Sequence, residues 1–274
     1  IMDRYIWTLW TGKWDKPKLW DLMCYAVSVG FVRKFCGNVE IYSDKNGIDM
    51  LREYGIDAEF KLVDFDIEDT KVPKFAEAKL KVIGMQTSPF IHLDHDAFLL
   101  KPQIDDKSSD IVVQNKEDNA YHKFIYRRSY MLGKSQEKEG STTIWPAEIV
   151  KCADETDFTA YNCGYLAVNN TDVSRQWCSD ALTVSGKFTP TRREDNAIVE
   201  QMTLYAFSKY RGYQIKCLFD STEANQLEPE MAGYVHLMND KVTDRIYVTR
   251  RLMQRAKEVA PAFYEKCFPH LLEI

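Results

Sequence analysis

The sequence predicts an α/β fold with a mostly parallel central sheet flanked by helices, and two observations predict it. Short apolar runs alternate with segments of helical periodicity through the first half of the chain, the order that gives parallel strands joined by crossover helices. The run at Phe90–Leu93 is apolar except for His92, close to what a strand buried on both faces shows. No clean linker divides the 274 residues, so one domain is expected over 1–274.

The elements follow in order. Tyr5–Trp10 reads as a first buried strand ending at Thr11-Gly12, and Pro17 suits the first turn of a helix. From Lys18 to Phe35, Leu19, Leu22, Met23, Ala26 and Val27 recur at helical spacing, with Gly37 as a stop. Val39–Tyr42 is a strand with Ser43-Asp44 as its exit, Asn46–Tyr54 a short helix, and Ala58–Val63 a third strand. Phe75–Met85 is a helix leading through Ser88-Pro89 into Phe90–Leu93, and Ile111–Gln114 is a further strand. Tyr121–Leu132 reads as a helix, and the polar stretch Gly133–Ser141 as a mobile loop. Ala160–Val168 is a strand interrupted by Asn162 and Gly164. Asp172–Ser185 is a helix capped by Thr171 or Asp172, and Asp195–Lys209 a long helix stopping at Gly212. Gln214–Leu218 and Gly233–His236 are strands, and the last 30 residues form a basic helical tail.

Composition narrows the function classes. Apolar content of 45% and charged content of 28% are ordinary for a soluble chain. A net charge of -5 offers no basic face for nucleic acid. Cys24, Cys36, Cys152, Cys163, Cys178, Cys217 and Cys267 are scattered, with no zinc spacing. Such a set indicates reduced thiols and a cytoplasmic location. The N-terminus lacks the basic and long apolar regions of a signal peptide, and no run approaches the roughly 18 apolar residues that span a bilayer. Six Trp, 15 Tyr and 14 Phe serve either as large core side chains or as stacking platforms for rings.

Chemistry concentrates at Asp94-His95-Asp96, where an apolar strand runs out. Two carboxylates placed there are costly to bury unpaired. A hard divalent cation, Mn²⁺ or Mg²⁺, is one remedy, because such ions take one or two protein carboxylates and complete their shells with water and phosphate oxygens. A helix cap or solvated turn is the plain alternative.

An ordered series of motifs resembles the nucleotide-diphospho-sugar glycosyltransferases of the GT-A fold, in their glycogenin-like branch and among uncharacterised bacterial relatives. Ala78-Lys79-Leu80-Lys81, Pro89, and Ile91–Asp96 with Pro102 resemble the family's helix, strand and metal motif. Tyr161–Tyr165 resembles its Asn-Gly strand, Glu200-Gln201 its Asp-Gln helix, and Gly233–His236 with Lys241 its late His-Lys segment. Glu replaces Asp in the pair, and the late segment lacks the family's Gly and Pro-Trp. The resemblance implies a Rossmann-like, nucleotide-binding half over about 4–115, an acceptor- and metal-completing half over about 116–242, and a helical tail over 243–274.

It also implies roles. Asp94, Asp96 and His236 would hold Mn²⁺ or Mg²⁺, with Asp94 also able to reach the donor's ribose. Trp10, Thr11, Lys79, Asn162, Gly164 and Lys241 would contact a nucleoside-diphosphate sugar, a UDP-sugar first, while a glycan or small molecule accepts the sugar. Glu200 and Asp195 contend for the carboxylate at the reacting carbon. Each residue has a plainer reading: a core Trp10, solvated lysines, a bulge at Asn162 and Gly164, a helix cap at Asp195, a polar helix face at Glu200. His92 and His95 read as packed or hydrogen-bonded rather than ligating. Two rivals stand beside the hexosyltransferase reading. One is a protein of the same fold that binds nucleotide-sugar without turnover; the other is a haloacid-dehalogenase-type phosphatase, whose Asp-x-Asp belongs near the N-terminus.

Overall fold

A computed structural model describes residues 3–12, 19–68, 70–103, 107–220, 233–237 and 245–269. In chain order the first elements are β1 (Arg4–Leu9), α1 (Leu19–Arg33), β2 (Asn38–Ser43), α2 (Lys45–Glu53), β3 (Glu59–Leu62), α3 (Phe75–Gly84), β4 (Phe90–Leu93) and β5 (Ala97–Leu99). Then come β6 (Ile111–Glu117), α4 (Ala120–Gly140), α5 (Ala147–Asp154), β7 (Ala160–Val168) and α6 (Thr171–Lys187). The last are α7 (Thr203–Arg211), β8 (Ile215–Cys217), β9 (Tyr234–His236), α8 (Arg245–Val259) and α9 (Pro261–Cys267). The fold is α/β, with mostly parallel strands and helices packed on them. Among the described residues, no helix is long and apolar enough to cross a membrane.

The chain divides into two compact units, one of Ile1–Phe65, Phe90–Asp105 and Asn225–Ile274, the other of Asp66–Pro89 and Asp106–Ala224. The segments interleave, so no single linker of distinctive composition marks the division.

In the first unit, β3, β2, β1 and β4 lie side by side in that order, all parallel. Ile6, Trp7, Ile41, Phe90 and Leu93 are fully buried. Trp7 Nε1 donates to Ser28 Oγ at 3.0 Å, and that hydroxyl donates to the Ala97 carbonyl at 2.6 Å. One serine thus ties β1, α1 and β5 together. α8 turns Val248, Leu252 and Ala256 inward. A Cβ at Gly30 of α1 would lie 2.4 Å from the Val259 carbonyl oxygen, so only glycine permits that approach.

In the second unit, β6 pairs antiparallel with β7 and parallel with β8. β7 is buried at all nine positions, and its pairing with β6 slips where the sequence reads an interruption: Val113 pairs with Leu166 and Asn115 with Asn162, so Cys163, Gly164 and Tyr165 stand opposite Gln114 alone. The stretch Gly133–Ser141, read from sequence as a mobile loop, is instead the last turns of α4, closed by Ser141 at φ 54°. Gly133 there is a contact rather than a break: a Cβ would meet the Trp145 ring at 2.2 Å. Glu137 accepts from the backbone N–H groups of Ile144 and Trp145 and pairs with Lys134. Asn170, rather than Thr171 or Asp172, caps α6. The long helix expected from Asp195 begins as a 3-10 turn, Arg193–Asp195, and widens into a π-helix, Ile198–Met202, before α7.

Candidate functional site

In the first unit, β4 ends at Leu93 and delivers Asp94 just beyond its last apolar residue. A tight turn, closed by the Ala97 N–H donating to the Asp94 carbonyl at 3.0 Å, brings Asp96 round. β5 then pairs with β9 so that Ala97 faces His236, and the Leu237 N–H donates to the Asp96 carbonyl at 3.1 Å. His236 Nε2 consequently stands 3.3 Å from Asp96 Oδ1. One ligand atom each from Asp94, Asp96 and His236 lie within 4.8 Å of one another. The side chains of Asp96 and His236 keep only 5% and 7% of their exposure, and Asp94 keeps 30%.

Two carboxylates and one imidazole suit a divalent cation. The nitrogen donor favours Mn²⁺ over Mg²⁺, which prefers oxygen throughout. The flanking histidines are placed otherwise. His92 Nε2 is 3.0 Å from Thr8 Oγ1, with Nδ1 4.0 Å from Asp94 Oδ1. His95 stacks on Tyr25 at 5.1 Å, with Nε2 3.6 Å from Asp21 Oδ1. Burial, then the negative charges of Asp94, Asp21 and Asp96, push the Tyr25 hydroxyl well above its usual pKa. It therefore stays protonated and donates to the Thr8 carbonyl at 2.6 Å.

At the end of β1, Thr11 is tied down. Its N–H donates to Asp44 Oδ2 at 2.8 Å and its hydroxyl lies 2.9 Å from both oxygens of that carboxylate. Asp44 also caps α2 by accepting from Gly47 N–H at 2.8 Å. The half-buried Trp10 ring lies over Gly12, where a Cβ would be 2.8 Å away and φ is +53°.

A second polar cluster belongs to the second unit. Lys79 is 7% exposed; its Nζ lies 2.7 Å from Glu200 Oε1 and donates to the Cys163 carbonyl at 2.8 Å. The π-helix carries Glu200 and Gln201 together. Asn162 donates through Nδ2 to Glu117 Oε1 at 2.7 Å and accepts from the Gly164 N–H at 2.9 Å. The Tyr126 hydroxyl meets both Glu117 and Gln201. Sequence reading does not single out Glu117 and Tyr126, since a Glu at a strand end and a Tyr in a helix carry no motif. Glu117 closes β6 after three polar residues, Gln114, Asn115 and Lys116, so no break from apolar to acidic marks it.

Asp195 is fully buried and collects five donors: Arg128 and Ser129 at Oδ1, and the Thr191 N–H, Thr191 hydroxyl and Arg192 N–H at Oδ2. Burial alone would raise its pKa, but these bonds outweigh it and hold the carboxyl below its usual range. Lys241 lies outside the described residues.

No curated protein matches this sequence. Among solved structures, the chain is similar to the glycosyltransferase GlyE of Streptococcus pneumoniae TIGR4, at 10% identity and a TM-score of 0.42, covering 79% of this chain and 45% of that one. It thus spans less than half of that chain's length. It is also similar to apo mouse xyloside xylosyltransferase 1, at 9% identity and a TM-score of 0.40, covering 85% and 92%. A third likeness is to 4-diphosphocytidyl-2C-methyl-D-erythritol synthase from Anaerococcus prevotii DSM 20548, at 9% identity and a TM-score of 0.40, covering 90% and 99%. These likenesses are too distant to assign a reaction. At the family level the match is to a family of unknown function, DUF6734, over residues 7–269, and the chain belongs to that family.

Proposed function

We propose that this chain is a metal-dependent glycosyltransferase, moving a sugar from a nucleoside-diphosphate sugar, a UDP-sugar first, to an acceptor hydroxyl on a glycan or small molecule. The observation that carries the reading is the convergence of Asp94, Asp96 and His236 from two separate stretches of chain. Three such ligands fit Mn²⁺ in their chemistry. When bound, the ion would supply positive charge against a diphosphate leaving group.

The remaining roles fall to the chain's own residues. Asp94, Asp96 and His236 hold the ion. Thr11 keeps the end of β1 in place through Asp44, with Trp10 beside it as a wall for the base. Asn162 and Gly164 receive the sugar, Lys79 and Lys241 the diphosphate. Glu200 is the better candidate for the carboxylate at the reacting carbon, because Asp195 spends its oxygens on the turn that it caps.

One observation favours a second reading, a binder without turnover: Lys79 and Glu200 are closed on each other at 2.7 Å. A donor that opens this pair gives an enzyme; one that leaves it shut gives only a complex. The deciding experiment incubates the protein with UDP- and GDP-sugars and Mn²⁺, following both binding and release of nucleoside diphosphate. Metal-dependent release supports transfer, saturation without release supports the binder, and no binding of any nucleotide-sugar sinks both.

A further inference from the structure

Glu117 ends β6 and is only 4% exposed. Burying a carboxylate is costly where an amide or apolar group would do, so its presence needs a reason. Oε1 accepts from Asn162 Nδ2 at 2.7 Å, and Oε2 accepts from the Tyr126 hydroxyl. His122 Nε2 stands 3.6 Å from Oε1.

What distinguishes a carboxylate is that, ionised, it accepts hydrogen bonds and donates none. Asn162 must therefore turn its nitrogen toward Glu117 and its oxygen toward the Gly164 N–H, which reaches it at 2.9 Å. The amide is thus held from both ends, its nitrogen by the carboxylate and its oxygen by a backbone N–H. Tyr126 carries the same constraint onward. Its single hydrogen cannot serve both oxygens placed against it, those of Glu117 and Gln201. It goes to the carboxylate, the stronger acceptor. Gln201 must then face the phenol oxygen with its amide nitrogen, because oxygen and nitrogen of a side-chain amide are assigned from their partners. Burial, followed by the charge of Glu117, raises the Tyr126 pKa well above its usual value, so the hydroxyl keeps that hydrogen. Glu117 thereby anchors two amides: with the Gly164 N–H it holds Asn162 on β7, and through Tyr126 it orients Gln201 in the π-helix. Amides of fixed direction are what a protein needs to tell one sugar hydroxyl from another, since a mispaired polar group is penalised in a dry site.

We infer that Glu117 is a positioning residue, fixing the Asn162 and Gln201 amides so that they read the hydroxyls of a donor pyranose. The inference rests on the glycosyl-transfer reading above.

Calorimetric titration tests it, with UDP alone and with UDP-glucose, UDP-galactose and UDP-N-acetylglucosamine, all in Mn²⁺. The readout is the ratio of nucleotide-sugar to nucleotide affinity for the best sugar, compared between the parent, Glu117→Ala, Glu117→Gln and Tyr126→Phe. The ratio should fall about tenfold in Glu117→Ala, the worth of one or two misdirected hydrogen bonds. Glu117→Gln should restore part of it. Tyr126→Phe should lose a smaller part, since only the Gln201 arm is cut; it also stands in if Glu117→Ala does not fold. An unchanged ratio overturns the inference, as does a proportional fall in both affinities, which would mark a merely structural role. A parent that binds UDP but gains nothing from any sugar overturns this inference alone. A parent that binds neither UDP nor any of these sugars overturns the transferase reading and this inference with it.

Discussion

His236 Nε2 stands 3.3 Å from Asp96 Oδ1 because Ala97 and His236 are register partners in the β5–β9 pair. The contact is made by strand pairing rather than by a loop, and a site built on paired strands is more precise than one on a flexible segment. Its two acidic members repel each other unless a cation lies between them.

Asp96→Asn should therefore abolish the effect of Mn²⁺ on stability while leaving the metal-free protein no less stable. A ligand that binds only the folded state at a hundred times its Kd adds about 2.7 kcal/mol, enough to raise the melting temperature visibly. His236→Ala should keep part of that rise, since two carboxylates remain. Scanning fluorimetry with and without Mn²⁺ reads both. An undiminished rise in Asp96→Asn would remove the metal site from this protein.

Lys79 and Glu200 test a different point, whether a buried pair is structural. Lys79→Met takes the ammonium away from a carboxylate at 5% exposure, and breaking a buried pair from one side costs about 3–5 kcal/mol. Lys79→Met with Glu200→Met together should recover most of that loss, because a matched apolar pair leaves no orphaned charge. Urea denaturation of the two variants measures the difference. Equal losses in both would mean that the charge of Glu200 is not what Lys79 stabilises.

The doublet at Asp94 and Asp96 is legible in sequence because carboxylates where an apolar strand stops have no place in a core. His236 comes instead from the resemblance of Gly233–His236 to the family's late segment, since a histidine ending a three-residue strand carries no signal of its own. What brings them together, the pairing of β5 with β9, is not legible: Ala97–Leu99 is three residues long and carries no periodicity. Asn162 and Gly164 look like an interruption, and the β6–β7 register does slip between Asn162 and Leu166, while the Asn162 side chain folds back onto the Gly164 N–H. The partnership of Lys79 with Glu200 joins residues far apart in the chain, and no local pattern encodes it. Gly133 misleads in the other direction. A glycine heading a polar run reads as a breaker, whereas here it admits a tryptophan.

That difference between glycines of one helix is measurable. Gly133→Ala would place its Cβ 2.2 Å from the Trp145 ring, and overpacking of this kind costs about 1–3 kcal/mol. Gly140→Ala, in the same helix but with nothing within 4 Å of the added carbon, should be neutral or stabilise by up to about 1 kcal/mol through helix propensity. If both variants lose stability equally in thermal melts, the close approach of Trp145 is not what keeps glycine at 133.

Asp157 sets an acid dependence whose sign follows from its partners. Burial pushes its pKa up, but hydrogen bonds from Lys209, Thr159 and Tyr205 outweigh burial and hold the carboxyl at about 2, below its ordinary 3.8. Lys209 Nζ and the Tyr205 hydroxyl both reach Oδ2 at 2.8 Å. As pH falls, the unfolded chain takes up its proton near 3.8 and the folded chain only near 2. The contribution to stability is thus fully present above the unfolded value and is lost as pH drops through the folded one. Solvent screening at this half-exposed position reduces it to about 1 kcal/mol. Asp157→Asn should be less stable than the parent by that amount at neutral pH, and the gap should close as pH falls from about 5 to about 2. Denaturant melts across that range measure the gap, and a gap that stays constant would show that the carboxylate's charge is not what Lys209 and Tyr205 stabilise.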